Sequence, residues 1–357
     1  GNVENSQKLR EKDDYYLKAT QVKLLGRGSY GTVYLVQASE DGAAAFGHST
    51  RFVCKRCAAD DGLTEDELQR LYHEVGILNS LHHPHVTKYL HAACRASELR
   101  IFMEFAEGGS LADEIKKHRA LATRWDAGHS ERPFETARVI KWMRQLTSAL
   151  QHVHGAAVLH RDLKTANVFL SGADDVKLGD FGLSRALSTY THFASTMVGT
   201  PYYMAPEVLD SSPYNHPADV WAVGIILFEL LTLRRPFDGQ HLGTLVVKIS
   251  RGEYDDAALH GCPHPPALRR VASRECLLHP LPDRRMNLAA LEASLAALSP
   301  PTSAAGAEPP PPPPAAAAAS GSSDRRSSSD LRSSALPVVE ELSSERSLRD
   351  PVESQHL

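Results

Sequence analysis

The sequence has few cysteines, no excess of basic charge and no long apolar run, and each absence removes a class of protein. Five cysteines in 357 residues are too few and too scattered for a disulfide framework. Basic side chains number 39 against 43 acidic ones, so the basic surface of a nucleic-acid binder is not expected. The longest apolar stretch, Val220 to Leu233, covers 14 residues, short of the roughly 18 that suggest a membrane span. We therefore expect a buried core helix there, and neither nucleic acid nor membrane as a partner.

Aromatic residues are missing from the C-terminal part of the chain. None follows Tyr254, whereas ten of the 22 prolines lie beyond residue 299, six of them in the run Pro309 to Pro314. Such a segment cannot bury enough apolar area to offset the entropy of ordering it. We predict a disordered Pro/Ala/Ser-rich tail at residues 299–357 and a flexible N-terminus at residues 1–14.

Between these ends the pattern changes from strands to helices. Thr32 to Val36 is strand-like, whereas from Leu111 onward helical spacings dominate. One amphipathic helix is predicted from the spacing of Val139, Trp142, Leu146, Ala149 and Val153. A small β-rich part before a larger helical part predicts an α+β fold with two lobes. The predicted domain spans residues 15–298, with an N-terminal lobe at about 15–103 and a C-terminal lobe at about 107–298.

Three glycines, Gly26, Gly28 and Gly31, form a G-x-G-x-x-G-x-V pattern that ends at Val33. In dinucleotide-binding folds such glycines open a helix. Here they lead into a strand pattern, which favours a hairpin flap whose main-chain N–H groups can approach phosphates. A tight hairpin turn without a ligand is the alternative.

A lysine and a glutamate follow at a spacing that suggests a pair. Lys55 ends the strand-like Val53-Cys54-Lys55, and Glu74 lies 19 residues later on a predicted helix. Because an exposed ion pair contributes only about 0–1 kcal/mol, positioning of a phosphate is a better reason for the pair than stability.

The most specific stretch is His160-Arg161-Asp162-Leu163-Lys164-Thr165-Ala166-Asn167, followed by Asp180-Phe181-Gly182. Carboxylate and carboxamide oxygens are ligands that Mg²⁺ prefers. A carboxylate left free of metal can orient a hydroxyl group and accept its proton.

Taken in order, these motifs resemble a eukaryotic protein kinase from about Tyr15 to Leu298. The pattern continues with A-P-E at 205–207 and D-V-W at 219–221. Lys164 and the Gly199-Thr200-Pro201 segment resemble Ser/Thr kinases, and residues 166–170, 177–180 and 193–204 resemble NIMA-related (Nek) kinases. Two features depart from that family: Thr165 replaces the usual proline, and no coiled coil follows, so dimerisation is not carried over.

The resemblance implies transfer of the ATP γ-phosphate to Ser or Thr hydroxyls of protein substrates, with Mg²⁺. Implied catalytic residues are Asp162, Lys164, Lys55 and Glu74, and implied metal ligands are Asn167 and Asp180. Implied ATP-binding residues are Gly26, Gly28, Gly31, Val33, Val53, Lys55, the gatekeeper Met103, the hinge residues Glu104 and Ala106, and Phe169. A hydrophobic column through Leu78, Tyr89, His160 and Phe181 is implied to couple the lobes.

The resemblance also implies a switch in the loop before Glu207. Arg161 would bind a phosphate on Thr196, with Ser195 and Thr200 as further regulatory residues; an unmodified hydroxyl in a mobile loop is the alternative. Either Arg284 or Arg285 would pair with Glu207.

Several alternatives stay open. A pseudokinase scaffold and a Rossmann oxidoreductase are the rivals from other classes, and a Ste20-like or calmodulin-kinase-like enzyme is the rival within kinases. Cys54 and Cys57 are expected to be reduced thiols of a cytosolic protein, with the nucleus or cytoskeleton as alternative locations. The tail could bind regulators. His82-His83-Pro84-His85 is interpreted as a structural loop.

Overall fold

The computed structural model describes residues 15–16, 18–28, 31–41, 43, 49–58, 76–95, 98–124, 134–181, 201–239 and 241–299. Its strands are β1 (Thr20–Gly28), β2 (Gly31–Gln37), β3 (Arg51–Ala58), β4 (Tyr89–Arg95), β5 (Glu98–Glu104), β6 (Val168–Leu170) and β7 (Val176–Leu178). Its helices are α1 (Leu111–Arg124), α2 (Thr136–Gly155), α3 (Pro206–Leu209), α4 (His216–Thr232), α5 (Leu242–Arg251), α6 (Ala257–Gly261), α7 (Pro266–Val271) and α8 (Leu288–Leu298). The predicted order of a β-rich part before a helical part is confirmed.

The first five strands form one antiparallel sheet in the order β1-β2-β3-β5-β4. Because side chains alternate between the faces of a strand, the register decides which residues share a face. Leu35, Val53, Met103 and Tyr89 are aligned across four strands. Lys55 lies two residues beyond Val53, and so its side chain is on the same face.

Cys54 and Cys57 lie on opposite faces of β3. The two are three residues apart, and they belong to separate hydrophobic clusters. A C-x-x-C in a strand therefore cannot direct both sulfurs to one zinc ion or to one another. Burial raises the pKa of the Cys54 thiol to about 12 and that of Cys57 to about 11, so both stay protonated and unreactive at neutral pH.

A tyrosine ahead of β1 covers the outer face of the sheet. The Tyr16 ring lies 5.3 Å from the ring of Phe52, 5.0 Å from that of Phe102 and 4.9 Å from that of His91. Only 2% of Tyr16 is exposed. Aromatic rings in edge-on or stacked contact at these separations stabilise a fold by more than the burial of their apolar area alone. We call this packing of Tyr16 on the sheet the tyrosine clasp.

The helical part is organised around α4. Val220 to Leu231 are buried without interruption, which confirms the prediction of a core helix, and Trp221 stacks on Phe237 at 5.4 Å. The apolar spacing of α2 also matches its buried face. The buried residues of this helix are Val139, Ile140, Trp142, Met143, Leu146, Thr147, Ala149, Leu150 and Val153. Leu291 and Leu295 of α8 complete this core.

Two chain segments connect the sheet to the helical part. In one, residues 85–87 pair with β7, since Leu178 N donates to His85 O and Thr87 N donates to Leu178 O, both at 2.8 Å. In the other, Glu104 at the end of β5 accepts Lys177 of β7 at 2.8 Å. The N–H of Glu104 donates to Lys88 O at 2.9 Å and so joins the two segments. Among the residues described, no helix has the length and apolar character needed to cross a bilayer.

Candidate active site

The loop between α2 and β6 brings together three predicted site residues. Lys164 Nζ lies 2.9 and 2.8 Å from the two carboxylate oxygens of Asp162. Asn167 Nδ2 donates to Asp162 Oδ2 at 3.0 Å and to the main-chain oxygen of Asp162 at 2.7 Å. Because the amide nitrogen bonds back into the loop, Oδ1 is the atom that Asn167 can offer to a cation. One short loop thus presents a carboxylate, an ammonium group and a carboxamide oxygen.

A buried aspartate of α4 holds the start of this loop. Asp219 accepts the main-chain N–H groups of His160 and Arg161 at 3.0 and 3.1 Å. Burial alone would raise the pKa of Asp219, but hydrogen bonds from His154, Tyr214 and the His160 main chain bring it below its usual value. The carboxylate therefore stays charged. Arg161 has a φ of 66°, a left-handed conformation of the kind that collects at functional sites.

The ring of His160 fixes a second part of the loop. Its Nε2 lies 3.0 Å from the main-chain oxygen of Gly179, and burial lowers the pKa of this imidazole. The ring is therefore neutral at pH 7, with the proton on Nε2, and Nδ1 can accept the N–H of Asp162 at 3.4 Å. This imidazole joins Gly179, the residue before Asp180, to the loop at residues 160–167. We call that loop, which contains the predicted residues Asp162 and Lys164, the catalytic loop.

Asp180 forms an ion pair with the predicted lysine of β3. Lys55 Nζ bonds Asp180 Oδ1, and Lys55 is only 8% exposed. An ammonium group this deeply buried requires a counter-charge. Asp180 lies two residues after the end of β7 and has a φ of 55°. The predicted partner of Lys55, Glu74, lies outside the described residues.

The residues predicted to bind a purine come from four strands, β2, β3, β5 and β6, and from the segment after β5. Val53 and Met103 are cross-strand neighbours and both are 7% exposed. Val33 of β2 pairs with Lys55 of β3 and packs against the hydrophobic cluster that contains Val53 and Met103. Phe169 is on β6, where it pairs with Lys177. Ala106 is half-buried just beyond Glu104.

The three glycines lie on a β-hairpin. Gly28 at the end of β1 pairs with Gly31 at the start of β2, and the strands run antiparallel. A Cβ on Gly31 would lie 2.1 Å from the main-chain oxygen of Arg56, and its φ is 134°, so only glycine fits there. A strand after the glycines excludes the dinucleotide-binding arrangement, in which they open a helix.

A family model matches this region. The model of the protein kinase domain aligns with residues 19–273. The chain belongs to the protein kinase family. Protein kinases in general use ATP and Mg²⁺.

The kinase is similar to several Nek proteins. It is 39% identical over 238 residues to human serine/threonine-protein kinase Nek2, covering 64% of this chain and 49% of Nek2. It is 35% identical over 241 residues to Caenorhabditis elegans serine/threonine-protein kinase nekl-2, covering 67% of this chain and 64% of nekl-2. It is 33% identical over 243 residues to mouse Nek1, covering 68% of this chain but 19% of Nek1. The kinase thus spans less than two thirds of the length of these relatives.

The ligand set of the site fits magnesium and nucleotide phosphates. Asn167 and Asp180 offer hard oxygen atoms, and Lys55 carries a positive charge beside Asp180. Gly31 has no side chain at the point where the hairpin lies against the main chain of Arg56. Gly179, the residue before Asp180, donates its N–H to the main-chain oxygen of Asn167 at 3.1 Å, so the two candidate metal ligands belong to neighbouring segments.

The four column residues are buried, and the Phe181 ring lies beside the rings of two of the others. Leu78, Tyr89, His160 and Phe181 are 7% exposed or less. The ring of Phe181 lies 4.9 Å from that of His160 and 6.3 Å from that of Tyr89. The column therefore extends from β4 to the catalytic loop.

Arg285, not Arg284, pairs with Glu207. Its two terminal nitrogens donate to the two carboxylate oxygens of Glu207 at 2.7 and 2.9 Å. Arg284 is exposed. The regulatory residues Thr196, Ser195 and Thr200 lie outside the described residues.

Sequence reasoning missed a group of polar residues behind the catalytic loop. Thr165 Oγ1 lies 2.8 Å from Tyr203 Oη, which donates to Glu229 Oε2 at 2.8 Å. Arg235 Nε donates to Glu229 Oε1 at 3.1 Å. These partners are 38, 26 and 6 residues apart, so no local spacing could have joined the first three. The replacement of a proline by Thr165 was the only signal in the sequence.

Proposed function

We propose that this protein is a Nek-like serine/threonine protein kinase. It would transfer the γ-phosphoryl group of ATP to serine or threonine hydroxyls of protein substrates. The observation that carries the proposal is the contact of Asp162 with both Lys164 and Asn167, close to the Lys55–Asp180 ion pair. These residue types have distinct uses in phosphoryl transfer, and none is replaced.

Asp162 would act on the acceptor. Its carboxylate orients the substrate hydroxyl and accepts the proton as the bond between the hydroxyl oxygen and the γ-phosphorus forms. The bond from that phosphorus to the β,γ-bridging oxygen breaks, and ADP leaves. Lys164, within 3 Å of Asp162, supplies positive charge where the equatorial phosphate oxygens become more negative.

Asn167 and Asp180 would hold Mg²⁺, which when bound neutralises phosphate charge. Lys55 would contact the α- and β-phosphates, and its ion pair with Asp180 would keep the phosphate and metal positions in register. Gly26, Gly28 and Gly31 would cover the phosphates with main-chain N–H groups. Val33, Val53, Met103 and Phe169 would enclose the adenine, with main-chain bonds from Glu104 and Ala106.

Control of this activity is a further part of the proposal. Phosphate on Thr196 would add about −1.5 to −2 charges near Arg161, which could order the loop that ends at Glu207. Ser195 and Thr200 are the other candidate sites. Glu74 would join Lys55 in the active state. We propose a cytoplasmic protein, with the nucleus or cytoskeleton as alternatives, and regulators that bind the tail.

A pseudokinase scaffold is the rival function. It would bind nucleotide or partners without transfer. The intact set of Lys55, Asp162, Asn167 and Asp180 counts against this reading, since a scaffold does not need a proton acceptor beside the acceptor hydroxyl.

The proposal is tested with the variant Asp162→Asn. We expect turnover to fall by about 10²–10⁴-fold, because the amide cannot accept the proton. Affinity for ATP should stay near that of the wild type. Transfer of radiolabelled phosphate to a generic basic protein measures turnover, and calorimetry measures ATP binding.

Asp210→Asn is the matched control, because Asp210 is exposed at the end of α3. It should retain wild-type turnover. Equal turnover of Asp162→Asn and the wild type would refute the assignment, and ATP binding without any transfer by the wild type would favour the scaffold.

A further inference from the structure

Thr165 lies where the catalytic loop contacts residues 201–207, the segment that follows the predicted regulatory loop. It starts the 3-10 turn Thr165–Asn167 and is 4% exposed. Its hydroxyl contacts Tyr203, which belongs to residues 201–207 before and within α3. Lys164 and Asn167, its neighbours in the loop, both bond the carboxylate of Asp162.

The direction of each hydrogen bond in this group can be assigned. Arg235 donates to the Glu229 carboxylate, which is therefore held as an acceptor. Tyr203 has a single hydroxyl proton, and it donates that proton to Glu229. Burial, followed by the charge of Glu229, raises the pKa of Tyr203, so the proton stays on the phenol. Thr165 must then be the donor to Tyr203.

This donation ties the catalytic loop to the core of the helical lobe. Glu229 is 3% exposed on α4, the helix that also holds the start of the loop through Asp219. The loop is thus fixed at two points by the same helix, at its start by Asp219 and at Thr165 through Tyr203. Asp162 lies between these two points.

The backbone at this position suits proline. Lys164 is extended, with φ −160° and ψ 163°, as a residue before proline should be. Thr165 is the first residue of a helical turn, where proline's fixed φ is favourable and its missing N–H is tolerated. A proline would restrict the loop through its ring, whereas threonine leaves the loop free unless its side chain is bound.

We propose that Thr165 is a positioning residue whose hydroxyl, through Tyr203 and Glu229, holds the catalytic loop as a proline ring would. The inference rests on the proposed kinase activity. It assigns to Thr165 no contact with ATP or with the acceptor. Its effect is on the placement of Asp162, and so on the rate of transfer rather than on nucleotide affinity.

The test compares three substitutions of Thr165 in the full chain. T165V keeps the shape and removes the hydroxyl, T165S keeps the hydroxyl, and T165P supplies the ring. We expect T165V to lower kcat about 3- to 10-fold, the range of one lost hydrogen bond, with the KM for ATP unchanged. T165S and T165P should lie within about twofold of the wild type. T147V is the control, because Thr147 is a buried threonine whose hydroxyl donates within α2.

A second readout does not depend on catalysis. Amide hydrogen exchange at residues 162–167 should be faster in T165V than in the wild type, and should return to the wild-type rate in T165S and T165P. Wild-type amide exchange rates in T165V would overturn the inference. It would also be overturned if T165P transferred phosphate as slowly as T165V. If the wild type transfers no phosphate, the proposed function fails, and the exchange rates still decide the role of Thr165.

Discussion

Arg285 shows how burial separates two adjacent residues of the same chemistry. Its guanidinium donates to Glu207 and also to the main-chain oxygens of Pro217 at 2.6 Å and His279 at 3.1 Å. It lies 5.1 Å from the centre of the Trp221 ring. The planar guanidinium thus donates hydrogen bonds to several acceptors and also lies against an aromatic ring, whereas Arg284 is exposed to solvent.

We predict that Arg285→Ala lowers the free energy of unfolding by about 3–5 kcal/mol, because it removes the donor to the Glu207 carboxylate and to three main-chain oxygens, those of Pro217, His279 and Pro280. Arg284→Ala should change it by less than about 0.5 kcal/mol. Urea unfolding of the two variants measures the difference. Equal unfolding midpoints would contradict the assignment of the pair.

At the residue scale, the motifs predicted types and spacing but not partners. Asp162, Lys164 and Asn167 were within eight residues of sequence, and their contact follows from one loop. The ion pair of Lys55 with Asp180 joins residues 125 apart, and the motifs did not predict it. The expected pairing of Lys55 with Glu74 stays a prediction, because Glu74 lies outside the described residues. Which partner a side chain takes depends on the packing of the whole domain, which spacing does not contain.

At the scale of elements, periodicity was the most informative signal. The spacing from Val139 to Val153 predicted the buried face of α2, and the apolar run at Val220 predicted α4. The strand order could not be predicted in this way, because β5 lies between β3 and β4 and pairs with both through main-chain bonds. Alternation determines the faces of a strand, not its neighbours.

Tyr16, which forms the tyrosine clasp, precedes the region that matches the family model of the protein kinase domain, since that region begins at residue 19. We predict that Tyr16→Ala lowers the free energy of unfolding by about 3–5 kcal/mol, the usual loss for a buried aromatic ring. Tyr16→Phe retains the ring and should cost at most about 1.5 kcal/mol.

Calorimetric melting of the two variants tests this prediction. The alanine variant should melt several degrees below the phenylalanine variant. If both melt at the same temperature, the ring does not stabilise the sheet. A chain that starts at residue 19 should behave like the alanine variant.

At the scale of the whole molecule, the core is completed by α8. Leu288, Leu291 and Leu295 are buried, and residues 300–357 lie outside the described part of the chain. We propose, as the composition predicts, that the segment beyond residue 298 adds nothing to the core.

Removal of residues 300–357 is therefore expected to leave the melting temperature within about 1 °C of that of the full chain, because no apolar core surface is lost. Scanning calorimetry of both chains measures it. A drop of several degrees would mean that the tail packs on the kinase domain, and the predicted boundary would be wrong.

The two segments that join the sheet to the helical lobe have a mechanical consequence. Residues 85–88 lead into β4 and residues 104–109 follow β5; the two segments are connected by the Glu104–Lys88 hydrogen bond and attached to the helical side through β7. Gly108 and Gly109 bond Leu170 of β6, each at 2.8 Å. Two such side-by-side connections bend readily about the axis that passes through both of them, and together they resist twisting. Opening of this kinase should thus be a rotation about one axis, which changes the separation of Lys55 and Asp180 without sliding one lobe sideways across the other.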